Sequence, residues 1–232
     1  MTRNRKYRTF THREAVLRVC CERFDAVTEE LARQRRILAD YIGLHPEFGS
    51  ALEPIRLLPD APEIAQRMAR AARLVGVGPM AAVAGAMAQF TAEAGLRAGA
   101  TEAIVENGGD IYLKATEPVI IGSHTGTCEL ADQLAFSLEP DDTPIAICSS
   151  SGTMGHSMSR GQCDLTTVVA KDAALADAAA TLAANLVKKV DEVDEALERI
   201  AQIEGIDGLM IVKNNHVGLA GRLPPLVKTG RG

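Results

Sequence analysis

Aromatic side chains are scarce in this chain. They make up only 3% of its 232 residues, and tryptophan is absent. The core must therefore be built from alanine, valine, leucine and isoleucine, and alanine allows backbones to approach closely. A site that grips a flat ring system would have few side chains available for stacking.

The chain also lacks an excess of positive charge, a long apolar run and cysteines at the spacing of a metal site. Its net charge of −5 argues against a dedicated nucleic-acid-binding protein. No run of about 18 apolar residues is present, and the N-terminus has no signal-peptide hydrophobic region, so we expect no membrane partner. Five cysteines without metal-site spacing are typical of reduced thiols in a cytoplasmic protein.

Apolar periodicity predicts a mixture of helices and strands in one domain. Helices are expected over 25–42, 61–74, 79–96 and 193–201, and the helix that carries Asp177 and Thr181 is expected to run to about residue 190. Five short strand candidates are spaced like an antiparallel meander, over 103–105, 111–113, 118–122, 134–138 and 145–148. A hairpin is expected over 208–219. We therefore expect one α+β domain over 1–232, with a largely antiparallel sheet and helices packed on it. Residues 1–10 and 222–232 are expected to be loose tails.

The segment Asn107-Gly108-Gly109-Asp110 lies between two of the predicted strands. Paired glycines permit positive φ angles and let a ligand approach the backbone, while Asn107 and Asp110 can hydrogen-bond it. The same pattern is also a common hairpin turn. Both interpretations stay open at this point.

A second polar segment, Ser149-Ser150-Ser151-Gly152, follows an apolar strand and precedes His156. Successive hydroxyls and backbone N–H groups can cradle a phosphate, although an ordinary polar loop has the same composition. Further along, Asp177 and Thr181 are four residues apart in an alanine-rich helix, so they share one face. They are either an inward-facing polar site, or a solvated Asp177 with Thr181 bonded to its carbonyl.

Taken in chain order, these segments resemble the ApbE-like superfamily, whose best-known members are FAD:protein FMN transferases. Residues 107–111 match the family's GG-D strand motif, and residues 149–152 match its T/S-S-G loop. Residues 167–170 and 176–181 match its VVA…ADA..T segment. The resemblance covers roughly residues 76–186.

The resemblance implies a fold, a cofactor and a set of roles. It implies an ApbE-like α+β fold that binds FAD or FMN with Mg²⁺. The cation would be held by Asp177, Thr181 and an upstream carbonyl, for which Ala81 is the candidate. The flavin nucleotide, or another phosphorylated small molecule, would contact residues 107–110 and 149–152. His156, which titrates near neutrality, is the candidate general acid or base.

Two departures from the flavin transferases favour a compact ApbE-related subfamily. Their upstream Lys-Gly pair is replaced here by Ala82-Val83, and their longer histidine-bearing insertion is reduced to residues 153–165. Three functions follow as alternatives: an enzyme with transferase-like phosphoryl chemistry, a binding protein that has lost catalysis, or a homo-oligomeric structural protein assembled through alanine-rich helices.

Overall fold

Eleven strands are present in the computed structural model, which describes residues 5–122, 132–152 and 163–228. Within these ranges the strands are β1 (Arg8–His12), β2 (Ala15–Cys21), β3 (Ala103–Asn107), β4 (Asp110–Lys114), β5 (Val119–Gly122), β6 (Leu134–Leu138), β7 (Ile145–Ser150), β8 (Leu165–Ala170), β9 (Ile206–Lys213), β10 (His216–Gly221) and β11 (Leu226–Lys228). Eight of them form one antiparallel sheet in the order β1-β2-β3-β4-β7-β8-β9-β10.

The helices pack on one face of this sheet. They are α1 (Phe24–Leu44), α2 (Pro46–Ser50), α3 (Glu63–Val75), α4 (Val83–Arg97), α5 (Ala173–Leu186) and α6 (Val193–Ala201), and a 3₁₀ turn over Pro79–Ala82 precedes α4. Helix α5 is mostly apolar, and eleven of its fourteen residues are buried, as expected for a helix enclosed on nearly every side. Its alanines let α3 and α4 lie close against it.

The opposite face of the large sheet is covered by a second sheet of three strands, β11-β6-β5. Apolar residues of β5 and β6, such as Ile121 and Phe136, pack against Ile147 and Val169 of the large sheet. The predicted meander is therefore wrong, because β4 pairs with β7 rather than with β5. Pairing β5 with β6 lets both strands cover an apolar face that would otherwise meet water.

The predicted tails are corrected at both ends. Residues Leu226–Lys228 form β11, which pairs with β6 and completes the second sheet. Near the other end, Arg5 makes a bidentate ion pair with the buried Glu102 at 2.7 and 2.9 Å. Arg5 also donates to the carbonyl oxygens of Glu117 and Pro118, so its charge is held against the sheet rather than solvated.

The remaining sequence predictions for the fold are confirmed, with small shifts of the element boundaries. The chain is a single α+β domain with a largely antiparallel sheet. Helix α5 ends at Leu186 rather than at residue 190 because Val187 is extended.

Within the described ranges, no single helix is both long and apolar enough to cross a membrane. The pair Glu63–Val75 and Pro79–Arg97, bent by 106° at its break, meets the length and composition criteria only when taken together.

Candidate functional site

Asp177 lies in the first half of α5 and reaches across to the start of α4. Its Oδ2 accepts a hydrogen bond from the Gly85 N–H at 2.9 Å. Gly85 lies in the first turn of α4, where backbone N–H groups have no partner within the helix. The carboxylate of Asp177 therefore caps α4 from a neighbouring helix, and it is buried rather than solvated.

Gly85 makes this contact possible because it has no side chain. A Cβ at this position would lie 2.2 Å from the Ala173 carbonyl oxygen and 2.8 Å from the Asp177 Cβ. The small residues of α4 indicated a helix that could lie very close to a sheet or a ligand. At Gly85 the close neighbour is another helix, α5.

Asp110 approaches the same place from the sheet. It is the first residue of β4 and pairs with Cys148 of β7 and Asn107 of β3. Residues opposite each other in antiparallel strands share a face, and the Cys148 thiol donates to the Ala173 carbonyl of α5 at 3.5 Å. Asp110 therefore faces the helix layer. Its Oδ1 is buried without a hydrogen-bond partner within the described part of the chain.

The electrostatics of this group are dominated by burial and by two neighbouring carboxyls. Desolvation raises the pKa of Asp110 well above its usual range, and the nearby Asp177 charge raises it further. Desolvation also raises the pKa of Asp177 to about 7, although the N–H groups of Gly85 and Ala84 oppose the shift. Burial raises the pKa of the Cys148 thiol, and both carboxyls add to that effect. The site therefore favours binding of a positive charge, either a proton or a cation.

Thr181 lies one turn beyond Asp177 on α5 and is also buried. Its hydroxyl makes no hydrogen bond to the Asp177 carbonyl, unlike Thr91, which donates to the Met87 carbonyl at 2.7 Å. The interpretation of Thr181 as a back-bonded helix residue therefore does not describe this helix. Asp177 and Thr181 form a buried polar pair on one face of α5, as their spacing indicated.

The Asn107–Asp110 segment is a tight hairpin between β3 and β4. Gly108 and Gly109 have φ angles of 66° and 102°, which is the backbone of a two-residue type I′ turn. The Asn107 side-chain amide donates to the Ala84 carbonyl of α4 at 3.1 Å. The glycines thus shape the turn, while Asn107 ties the turn to the helix that Asp177 caps.

The serine segment is divided between the two faces of the sheet. The structure extends β7 through Ser150, two residues beyond the predicted end of this strand. The Ser149 hydroxyl lies 2.9 Å from the Thr167 hydroxyl, whereas Ser150 shares its face with Cys148 and Asp110 by strand alternation. Beyond the strand, the Gly152 N–H donates to the Cys163 carbonyl at 2.8 Å. Only part of this segment therefore faces the carboxyl pair.

Ala81 and His156 are the remaining predicted site residues. Ala81 lies in the 3₁₀ turn before α4, and this turn packs against α5. His156 lies outside the described residues, together with most of the loop that carries it. Asp110 and Asp177 form an acidic pair, and sequence reasoning did not identify Gly85 and Cys148 as its neighbours. A glycine within an alanine-rich helix was the available signal for Gly85.

The described donors fit a hard cation better than a soft one. In residues 5–122, 132–152 and 163–228, no group of three or more His, Cys, Asp or Glu side chains is placed to hold a metal ion. Magnesium, however, needs only one or two carboxylates, because it keeps waters and takes oxygens from a phosphorylated ligand. The unpartnered Asp110 Oδ1 beside Asp177 meets that requirement.

A cleft of about 630 Å³ lies between residues 57–61, α3 and α4. Neither carboxyl of the acidic pair lines it. Two of its three arginines are held by acidic neighbours: Arg67 binds Glu63 at 2.7 Å, and Arg70 binds Asp172 at 3.0 Å. We therefore place the candidate site at the acidic pair rather than in this cleft.

Comparison with known proteins settles the family. Residues 2–215 match the protein-family model described as AbpE bacteria. The chain belongs to this ApbE-like family. The match extends well beyond residues 76–186, over which the sequence resemblance was first recognised.

Its relatives include archaeal proteins of similar length. The UPF0280 protein of Archaeoglobus fulgidus is 38% identical over 224 residues, which cover 94% of this chain and 92% of the relative. The UPF0280 protein of Methanothermobacter thermautotrophicus is 41% identical over 202 residues, covering 85% of this chain and 78% of the relative. These relatives place the ApbE-like chain in the compact subfamily that the sequence predicted.

Solved structures share the fold at low sequence identity. The apo flavinyl transferase ApbE of Pseudomonas stutzeri has a TM-score of 0.53 at 11% identity, covering 93% of this chain and 94% of the transferase. The ApbE protein of Thermotoga maritima has a TM-score of 0.54 at 14% identity, covering 90% and 94%. These similarities establish an ApbE fold.

Proposed function

We propose that this ApbE-like protein binds a phosphorylated small molecule, with a flavin nucleotide as the first candidate, at a Mg²⁺-assisted site. The cation would be held by Asp177, Thr181 and the Ala81 carbonyl. The observation that carries the proposal is the buried Asp110 and Asp177 carboxyl pair, in which one oxygen has no described partner. A buried pair of like charges is costly unless a cation neutralises it.

Each residue has a separate task in this proposal. Gly85 orients the Asp177 carboxylate through its N–H group, and Asn107 fixes the start of α4 through the Ala84 carbonyl. Ser150 would contact ligand oxygens, whereas the Gly152 N–H already donates to the Cys163 carbonyl. His156 remains the candidate general acid or base. When bound, Mg²⁺ would supply charge neutralisation for a diphosphate group.

The choice of a flavin nucleotide rests on relatives of the same fold. The solved Pseudomonas stutzeri protein with this fold is named a flavinyl transferase, so FAD and FMN are the ligands to test first. A binding protein without turnover is the second candidate. It is favoured by the Ala82-Val83 pair, which stands where the transferases carry Lys-Gly.

The proposal is tested by measuring melting temperatures with FAD, FMN and adenine nucleotides, each with Mg²⁺ and with a chelator. We expect FAD or FMN to raise the melting temperature of the wild type only when Mg²⁺ is present, because the cation links the ligand to the protein. Asp177→Asn should lose this increase. Asp172→Asn is the matched control, since it removes one charge from the N-cap of the same helix and should keep the increase.

Two outcomes separate the alternatives. Release of AMP from FAD that requires Mg²⁺ and is lost in Asp177→Asn would assign transferase-like chemistry, whereas binding without AMP release would assign a binding protein. If no flavin or nucleotide shifts the wild type, the ligand proposal is wrong. A stable oligomer that is insensitive to Asp177→Asn would then favour a structural role.

A further inference from the structure

We propose that Asp110 is itself a cation ligand, so that the two carboxylates bind a divalent cation before any nucleotide arrives. The inference rests on the cation site of the proposed function and adds to it a residue from the sheet. With Asp110 as a ligand, the site would hold a cation in the ligand-free protein. Without it, cation binding would depend on the phosphates of the ligand.

The first argument is the state of the Asp110 carboxylate. Only 5% of the residue is exposed, and its Oδ1 has no hydrogen-bond partner in the described part of the structure. Buried polar atoms almost always have a partner, and one without it calls for an explanation such as an ion or a water. Strand pairing on both sides of β4 fixes the backbone of Asp110, so its side chain stays on the face that meets the helix layer.

The second argument is that the nearby donors are already in use. The Gly85 N–H binds Asp177, and the Asn107 amide binds the Ala84 carbonyl. The Cys148 thiol and the Ser149 N–H face the Asp110 carboxylate, and the thiol also has the Ala173 carbonyl as an acceptor, but neither donor bonds Oδ1. The orphaned oxygen therefore faces a place where its nearest charged neighbour is another carboxyl, and a cation satisfies both groups.

The third argument concerns which cation fits. Two carboxylates carry a charge of −2, which a divalent ion balances. Oxygen ligands and a buried hydroxyl at Thr181 suit Mg²⁺ or Mn²⁺ rather than Zn²⁺.

The test measures cation binding without nucleotide. Free Mn²⁺ gives a sharp electron paramagnetic resonance signal that is lost on binding, so titration of metal-free protein gives the stoichiometry and the affinity. We expect one Mn²⁺ per chain in the wild type, displaced by excess Mg²⁺. Asp110→Asn and Asp177→Asn should each weaken binding by at least about tenfold. Asp172→Asn should bind as the wild type does.

A second measurement keeps the test independent of folding defects. In chelator, Asp110→Asn should melt no lower than the wild type, because burial already favours an uncharged Asp110 and an amide of the same size is also uncharged. In Mg²⁺, the wild type should gain stability while Asp110→Asn does not. A merely structural role of Asp110 would instead lower the melting temperature equally in both conditions.

Three results would overturn this inference. One is Asp110→Asn binding Mn²⁺ like the wild type while Asp177→Asn does not, and another is equal melting losses with and without Mg²⁺. The third is a wild type that binds Mn²⁺ only when FAD is present, which would leave the proposed function intact. Conversely, tight Mn²⁺ binding with no response to any flavin or nucleotide would support Asp110 and refute the flavin proposal.

Discussion

Replacing Gly85 with alanine tests the contact on which the site is built. An alanine Cβ would lie 2.2 Å from the Ala173 carbonyl oxygen, whereas ordinary contacts begin at 3.4 Å. The difference, 3.4 − 2.2 = 1.2 Å, must be absorbed by moving α4 away from α5. Because the Asp177 Cβ lies 2.8 Å from the same point, the carboxylate must move as well.

The expected loss of stability combines two opposing effects. Alanine has a higher helix propensity than glycine, which favours the variant by about 1 kcal/mol. Overpacking a tight interface costs about 1–3 kcal/mol or more, and here the obstacle is backbone rather than a flexible side chain. We expect a net loss of about 2 kcal/mol in the free energy of unfolding, which lowers the melting temperature of a chain this long by about 4–8 °C.

The assay compares Gly85→Ala with Gly43→Ala in urea unfolding and in Mn²⁺ titration. A Cβ at Gly43 of α1 would meet nothing within 4 Å, so this control should gain up to about 1 kcal/mol. It should bind Mn²⁺ normally, whereas Gly85→Ala should bind it more weakly. If Gly85→Ala is as stable as Gly43→Ala and keeps its cation affinity, the close approach of the two helices does not support the site.

Three further predictions follow from other contacts. In metal-free protein, the pKa of Asp177 is about 7, against an ordinary value of 3.8, so the folded state binds a proton there more tightly than the unfolded state does. The free energy of unfolding should therefore fall by up to about 4 kcal/mol as the pH rises from about 4 to about 7. Urea titrations at several pH values check this, and Asp177→Asn should flatten the curve. Glu102→Gln should cost about 3 kcal/mol in urea unfolding, because it leaves the charge of Arg5 unpaired; a loss below about 0.5 kcal/mol would place this pair among weak surface bridges. Asn107→Ala should cost about 1 kcal/mol by the same assay, since it removes the bond to Ala84, and an unchanged midpoint would contradict that role.

Local patterns in the sequence predicted most of the elements of the fold. Strand β6 and helix α6 were expected with the boundaries that the structure has, because apolar periodicity and turn residues determine them locally. Sheet pairing was not predicted in the same way. Whether β4 meets β5 or β7 depends on which apolar faces cover each other across the molecule, and short strands carry little of that information.

The site was predictable in part for the same reason. The spacing of Asp177 and Thr181 placed both on one helix face, and the structure places both in the buried interior. The alternation of Ser149 and Ser150 across the sheet was missed, because the segment was interpreted as a loop rather than as the end of β7. The orphaned oxygen of Asp110 became visible only when the strands and α5 were brought together.

The most direct test of the central claim is the affinity of FAD measured by isothermal titration calorimetry with Mg²⁺ and with chelator, in the wild type and in Asp177→Asn. We predict Mg²⁺-dependent binding by the wild type and a loss of binding in the variant. FAD affinity that is the same with and without Mg²⁺, or unchanged in Asp177→Asn, would contradict a cation-assisted nucleotide site at the acidic pair.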